Sequence, residues 1–447
     1  MYRTLYRLVG ARHRPSLCRA LSYQSELGQR QNELLYDYHL LPELEKPSQS
    51  KPALRILTNG PYLWFFASNL LASVGSEMRL MAQSWLILEL GGTQSWVGAA
   101  TGLRVLPAIV LALLAGVLID RIGSRKILVW DRVILAILAV TTTFLVVIGP
   151  IAVWHIVFLS TLAGAMIGLA GTASQTLVTQ IVAADNLQAA NSLHTFQFSI
   201  ARALGPLIGA ALIASFGLGA PWVALVVLYS ASIACLVRLP DLHIDHEQRQ
   251  GAWQNLVEGF SYVKSDPLIS RVMLLAFSVV AGMTVFPVMP IYARDRFGVG
   301  ETGFATMMSV FAAGQAMSAI AVTWRGGWQR KARPILCTAT LWGVAMATFG
   351  FTKNYYVALA AMALMGASIP PWITSVMTIL QTRTEKAMLG RVMAVFSISF
   401  QVATLGWLLG GWVGEAIGNE SMLLLMAIAY LIMHYGVFAT SKELRKI

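Results

Sequence analysis

The stretch Gly116-Val-Leu-Ile-Asp-Arg-Ile-Gly-Ser-Arg-Lys126 is a short polar hairpin between two long apolar runs, at residues 96–119 and 127–148. A chain that leaves the hydrocarbon of a membrane and re-enters it at once must turn at the membrane face. Glycine permits such a turn and the close approach of two helices, and Arg and Lys favour the cytoplasmic side. The hairpin therefore predicts two membrane-spanning helices joined at a cytoplasmic interface.

The composition of the whole chain agrees with this. Of 447 residues, 56% are hydrophobic and only 12% are charged, and the mean hydropathy is +0.64. A spanning helix needs about 20 apolar residues, and residues 62–438 divide into about twelve such runs. We predict an all-α polytopic membrane protein with twelve transmembrane helices in two pseudosymmetric six-helix bundles.

Polar segments predict the domain boundaries. Residues 1–60 form a polar extension, 61–239 the first bundle, 240–267 a linker, 268–440 the second bundle and 441–447 a tail. The first 25 residues contain arginines and no acid, a composition that also suits a mitochondrial transit peptide. We interpret the extension as a cytoplasmic tail attracted to anionic lipid, and it is also the candidate site for a protein partner.

The charge distribution predicts the orientation. The formal net charge is +12, and nearly all Lys and Arg fall on one side of the twelve-helix arrangement, with Arg294, Arg296 and Lys353 on the other. This bias predicts that both termini are cytoplasmic, in what we expect to be a bacterial inner (plasma) membrane. It argues for a lipid bilayer, and against nucleic acid, as the partner of the basic surface.

The first apolar run carries polar and ionisable residues that are costly inside a membrane. Asn69, Ser73 and Glu77 are four residues apart, so they share one helix face. Arg104 on the next helix falls at a similar depth, which suggests a Glu77–Arg104 ion pair. Burial of an unpaired Glu77 would instead favour its protonated form and would suit a proton carrier.

The fifth predicted helix contains Gly205, Pro206 and Gly209, a pattern that bends a helix and allows close packing. Arg202, one turn earlier, is either a structural charge or a site for an anionic group of a substrate. The same glycines recur in the second half at a constant offset, as Gly406, Gly410 and Gly418 for Gly205, Gly209 and Gly217. This predicts an internal repeat of two six-helix units.

No pattern for a metal, a cofactor or enzymatic catalysis is evident. His243 and His246 with nearby acids are more typical of a solvated loop than of a metal site. No nucleotide-binding loop and no nucleophile with its base is present. We expect a protein that is not an enzyme and that holds no cofactor.

The hairpin matches the G-x-x-x-D-R-x-G-x-R-K signature that the major facilitator superfamily carries between its second and third helices, so the chain resembles that superfamily. The matching residues are Gly116, Asp120, Arg121, Gly123, Arg125 and Lys126. The Gly205-Pro206-x-x-Gly209 pattern resembles the helix-five motif of its antiporters. Residues 83–90, 103–107 and 389–396 are similar to the branch that contains the enterobactin exporter, macrolide efflux proteins and a bacterial lysophospholipid transporter.

The resemblance implies alternating access around a cavity formed by helices one, four, seven and ten. Asn69, Glu77, Gln175 and Trp372 are then candidate cavity residues, with Arg104 and Arg202 beside them, and the hairpin is a candidate cytoplasmic gate. The leading hypothesis is a secondary exporter of an amphipathic small molecule, drug-like or siderophore-like, driven by protons that enter through Glu77. The alternatives are a lipid or lysolipid flippase of the same fold, and a non-transporting assembly or scaffold protein.

Overall fold

The computed structural model describes residues 53–58, 60–149, 151–183, 186–240, 252–325 and 332–446. Some sequence predictions lie outside the described residues. These are the N-terminal extension up to residue 52 and the loop that contains His243 and His246. The segment boundaries predicted from the sequence stay predictions.

Twelve long helices follow one another along the described chain. Those of the first half are α1 (Gly60–Glu89), α2 (Gln94–Gly102 and Val105–Ile122), α3 (Ser124–Ile148), α4 (Val153–Ile181), α5 (Leu187–Phe216) and α6 (Ala220–Val237). Those of the second half are α7 (Pro267–Arg296, with irregular turns after Gly282), α8 (Gly300–Arg325), α9 (Ala332–Phe351), α10 (Tyr355–Arg383), α11 (Leu389–Ala403 and Leu405–Ile417) and α12 (Asn419–Thr440).

Eleven of these helices are long and apolar enough to cross a membrane. The remaining one, α1, has 30 residues and is therefore about 45 Å long. It carries Glu77 and Arg79, and its face packs against α5 and α6 as a spanning helix of the same bundle would. Eleven spans and α1 together make twelve, and the predicted all-α fold is confirmed.

The two halves meet along two helix pairs, α2 with α11 and α5 with α8. We call the end of the molecule at residues 116–126 the hairpin end, and the opposite end, at residues 89–94, the far end. The segment of α2 nearer the far end packs extensively on the matching segment of α11, while the segments nearer the hairpin end barely touch. The halves are thus closed together at the far end and separated at the hairpin end.

The repeated glycines hold equivalent helices together in each half. A Cβ atom on Gly205 would lie 2.8 Å from the Cβ of Glu77, so α5 lies directly on α1. In the second half, a Cβ on Gly406 would overlap the backbone oxygen of Val280, so α11 lies on α7 in the same way. Gly217 and Gly418 end these helices with the same φ of 85°. The internal repeat read from the sequence is therefore a repeat of the packing.

A further helix, Ala252–Ser265, lies at the hairpin end before α7. It packs on α11, where Glu258 forms an ion pair with Arg391 at 3.0 Å and a Cβ on Gly259 would lie 2.7 Å from the backbone oxygen of Arg391. It also contacts the hairpin-end segment of α2. This linker helix therefore belongs to the second half and touches the first.

We predict that replacing Gly205 with Leu destabilises the protein by about 1–3 kcal/mol or more, since the added side chain has no room between α5 and α1. Thermal unfolding of the purified protein in detergent measures this. The matched control is Gly436→Leu, because Gly436 is exposed on α12 with no atom near its Cβ position. Equal unfolding temperatures for the two variants would contradict the role of the glycine contact.

Candidate functional site

A cavity of about 1040 Å³ lies between α5, α8 and α10. Its lining residues fall in the halves of these helices nearer the hairpin end, and they combine polar and apolar side chains. They include Phe198, Arg202, Gln315, Ile369, Pro370 and Thr374. The volume is that of a site for a small molecule.

A second cavity, of about 670 Å³, lies between α2, α4 and α11, with Leu256 of the linker helix at its edge. Gln175 of α4 is exposed and lines this cavity, and Gln401 of α11 lies opposite. The two cavities occupy the two sides of the gap that separates the halves at the hairpin end. Gln175 therefore lies in this gap, and its role as a cavity residue for cargo stays a prediction.

Arg202 lines the larger cavity and forms an ion pair with Glu77, which is not itself one of the lining residues. Arg202 Nε lies 3.6 Å from a carboxylate oxygen of Glu77, and Arg202 donates a hydrogen bond of 2.9 Å to Gln315 Oε1. The Arg202 side chain is 46% exposed and that of Glu77 is 17% exposed. Arg202 thus connects α1 and α5 of the first half to α8 of the second, while facing the cavity.

The predicted Glu77–Arg104 ion pair is wrong. Gly205 brings α5 so close to α1 that Arg202, one turn away, becomes the partner of Glu77. Arg104 lies at the break between the two segments of α2, where its backbone packs on Gly164 of α4. It forms no ion pair with any residue that the structure describes.

Asn69 belongs to a buried polar network within the first half. It donates to Ser174 Oγ at 3.2 Å and accepts from Arg132 at 3.2 Å, and Arg132 forms an ion pair with its neighbour Asp131. Asn69 is 6% exposed. In this conformation it lies behind the cavity wall and links α1 to α3 and α4.

Trp372 does not face the cavity. Its indole N–H donates to His434 Nε2 at 3.0 Å, and the side chain is 4% exposed in the core between α7, α10 and α12. The neighbouring residues Ile369, Pro370 and Ile373 line the cavity instead. Trp372 therefore lies on a helix that borders the cavity, but its side chain is on the buried face of that helix.

The hairpin forms the turn that the sequence predicts. Gly123, with φ 94°, ends α2 and begins α3, and Arg125 donates to the backbone oxygens of Leu236 and Val237 at the end of α6. Arg125 thus binds within the first half, where its charge suits the C-terminus of a helix. Asp120 and Arg121 make no hydrogen bond or ion pair to the second half among the described residues.

The far end is closed by side chains that bind backbone groups across the halves. Gln94 at the start of α2 donates to the backbone oxygen of Gly410 on α11 at 2.8 Å. Glu415 of α11 accepts hydrogen bonds from the backbone N–H and the hydroxyl of Ser95, at 2.7 and 2.6 Å. Arg294 of α7 donates to the backbone oxygen of Leu88 near the end of α1 at 3.0 Å. We call these contacts the far-end latch.

The far-end latch places each charge where a helix dipole favours it. Glu415 lies at the N-terminus of α2, which carries a partial positive charge, and Arg294 lies at the C-terminus of α1, which carries a partial negative charge. Sequence reasoning placed Arg294 only on the side opposite to most of the Lys and Arg residues, and it missed the roles of Gln94, Ser95 and Glu415. The glycines at 406, 410, 411 and 414 signalled close packing there, but they did not identify the partner.

Comparisons with known proteins agree with this geometry. The sequence profile described as "Major Facilitator Superfamily" matches residues 65–405. The multidrug efflux pump Tap of Mycolicibacterium fortuitum is 25% identical over 396 residues, which cover 85% of this chain and 95% of that protein. The enterobactin exporter EntS of Shigella boydii is 24% identical over 358 residues, which cover 77% of this chain and 80% of that protein.

Solved structures show the same fold. The nucleoside transporter NupG superposes with a TM-score of 0.66 at 13% identity and covers 85% of this chain and 98% of its own. A D-xylose-proton symporter superposes with a TM-score of 0.65 at 14% identity and covers 87% of this chain and 99% of its own.

The fold and the central cavities define an integral membrane transporter with two six-helix halves. The chain belongs to the Major Facilitator Superfamily. This membership confirms the prediction of a transporter rather than an enzyme, and the match to EntS confirms the resemblance to the branch of the enterobactin exporter.

We predict that Glu415→Gln opens the far end. A hydrogen bond to a charged acceptor contributes about 1.5–3 kcal/mol, so the population with separated far ends should rise about fivefold or more. Electron–electron distance measurements between spin labels at Val147→Cys and Tyr356→Cys report this, because both positions are exposed at the far end in opposite halves.

The matched control for this measurement is Glu420→Gln. Glu420 pairs with Arg296 at 3.0 Å at the same end of the molecule, but both residues belong to the second half. This variant should leave the label distances unchanged. An equal shift in both variants would show that the far-end latch does not hold the halves together.

Proposed function

We propose that the chain is a secondary exporter of amphipathic small molecules that works by alternating access, in a bacterial inner membrane with both termini in the cytoplasm. The observation that carries this proposal is the combination of a latched far end with cavities at the hairpin end. The bias of Lys and Arg toward the hairpin end supports a cytoplasmic hairpin end. The described conformation is then the one open to the cytoplasm, ready to accept cargo from inside.

Two relatives support the outward direction. Tap is a multidrug efflux pump and EntS exports enterobactin, and both align over most of their length. A drug-like or siderophore-like cargo fits the larger cavity, because Phe198, Ile369 and Pro370 offer an apolar surface next to the polar groups of Arg202 and Gln315. A mixed lining of this kind suits a molecule with one polar and one apolar side.

Glu77 is the proposed proton site. When ionised, it attracts Arg202, which also bonds to Gln315 across the halves. Protonation removes the charge of Glu77, so the hydrogen bond to Gln315 of α8 becomes the main contact of Arg202. The contact between α5 and α8 is therefore stabilised to a different extent in the two protonation states of Glu77. A ligand that binds two conformations unequally shifts their populations, and here that ligand is the proton.

Glu77 is the only carboxylate in the described part of α1 that lies away from the helix ends, since Glu89 is the last residue of the helix. In the second half, Glu385 on the turn between α10 and α11 is the only acidic residue of the sequence between Thr302 and Gly414. The proton site is therefore proposed for the first half, with Arg202 as the residue that transmits its charge state.

A lipid or lysolipid flippase of the same fold is the second candidate. One observation favours it: the larger cavity has Arg202 on one side and apolar Phe198 and Val322 on the helices that border it, which suits an anionic headgroup with an acyl chain. The scaffold alternative depends on residues 1–60, most of which lie outside the described residues.

We predict that Glu77→Gln lowers proton-driven efflux at least about fivefold, as expected for the loss of a coupling free energy of 1–3 kcal/mol. The assay uses proteoliposomes loaded with ethidium or doxorubicin, with and without an imposed pH gradient. The control variant is Glu385→Gln, which removes an exposed carboxylate on the turn between α10 and α11 and should keep the response.

The proton mechanism is eliminated if the efflux rate is the same with and without the pH gradient and Glu77→Gln keeps full activity. Scrambling of a fluorescent lysolipid in the same liposomes, without efflux of either dye, would favour the flippase. If a folded preparation shows neither dye efflux nor lysolipid scrambling, both the exporter and the flippase are excluded.

A further inference from the structure

The interior of the first half carries more positive than negative charge. Two arginines are balanced, since Arg202 pairs with Glu77 and Arg132 pairs with Asp131. Arg79 and Arg104 form no ion pair among the described residues. A cation without a counter-charge is expensive inside a membrane protein, so its charge is normally offset by a neighbouring anion.

Arg79 lines a small void that has a volume of about 20 Å³ and lies between α1, α3, α4 and α6. The side chain is 8% exposed, and its Nε has no hydrogen-bond partner. Trp222 of α6 lines the same void, is 3% exposed, and its indole N–H also has no partner. Two buried donors on different helices therefore border one space and lack an acceptor.

The hydroxyls of Thr142 and Ser160 complete the polar lining. Each already donates a hydrogen bond, Thr142 to the backbone oxygen of Leu138 at 2.8 Å and Ser160 to Gln83 Oε1 at 2.8 Å. The remaining lining residues are apolar, among them Leu135, Ile156 and Leu159. No carboxylate borders the void, so nothing in its described lining repels an anion.

From this geometry we infer that the first half binds one small monovalent anion, of the chemical class of chloride, between Arg79 and Trp222. The void has room for a single water-sized or chloride-sized particle. A water molecule would accept both hydrogen bonds but would bring no charge to balance Arg79. The one carboxylate that interacts electrostatically with Arg79 in the described lining helices is Asp131, and it already forms an ion pair with Arg132. An anion satisfies both donors and the charge together.

The second half provides an internal comparison. Trp342 is 4% exposed, its indole N–H also has no partner, and it lines a void of about 30 Å³. That void is lined by Trp372, Phe400 and Tyr430 among others and borders no charged side chain. The two voids share size and an unpaired indole donor, and they differ in the presence of an arginine. Only the first is an anion site.

The experiment titrates chloride into the full-length protein in phosphatidylcholine nanodiscs, with sodium gluconate replaced by sodium chloride at constant ionic strength. We expect the unfolding temperature to rise and saturate with chloride. Trp222→Phe removes one donor and keeps an aromatic ring, so the apparent chloride affinity should fall roughly tenfold, as for a hydrogen bond to a charged group. Arg79→Gln should abolish the rise.

Trp342→Phe is the matched control and should leave the chloride response unchanged. If Arg79→Gln does not fold, bromide soaked into crystals of the unmodified protein provides the second test, with an anomalous peak expected between Arg79 and Trp222. Equal unfolding temperatures in gluconate and chloride, an unaltered response in Trp222→Phe, or no bromide peak at that position would each overturn the assignment in favour of a bound water. These outcomes do not depend on the export activity or on Glu77.

Discussion

The cost of placing charges inside a membrane shapes this structure more than any other constraint. The first half places Glu77, Arg79, Arg104, Asp131 and Arg202 in its helices, and it offsets most of that cost by pairing and hydrogen bonding. The second half avoids the cost, because its helix interiors carry almost no ionisable side chain. Two halves with the same helix packing therefore have different chemistry: one holds the charges, and the other provides a largely uncharged surface against which the first can move.

The features that the sequence predicted well are those determined locally. The hairpin at Gly123 and the span lengths depend on short stretches, and the glycines at 205 and 406 mark close contacts wherever their helices pack. Contacts between side chains on different helices were harder to predict. Depth alone suggested Arg104 for Glu77, but the rotation of each helix decides which side chains meet, and α2 turns Arg104 toward α4.

Trp372 shows the same limit, because one helix has two faces and the sequence does not say which face borders the cavity. The resemblance made Trp372 a candidate because helix ten is one of the four helices expected around the cavity. The residue next to Trp372 along the chain does line the cavity.

The sequence could not predict the far-end latch for another reason. In these contacts a side chain of one half binds a backbone group of the other half. Every residue has such backbone groups, so no sequence motif identifies the ones that take part.

That last feature has a consequence for how such a transporter can evolve. Since Arg294 binds the backbone oxygen of Leu88 and Glu415 binds the backbone N–H of Ser95, most substitutions at residues 88 and 95 leave that backbone group in place. One half can therefore accumulate mutations at its rim, as adaptation to new cargo would require, while the far-end seal persists. A seal formed only between pairs of side chains would need both partners to change in step.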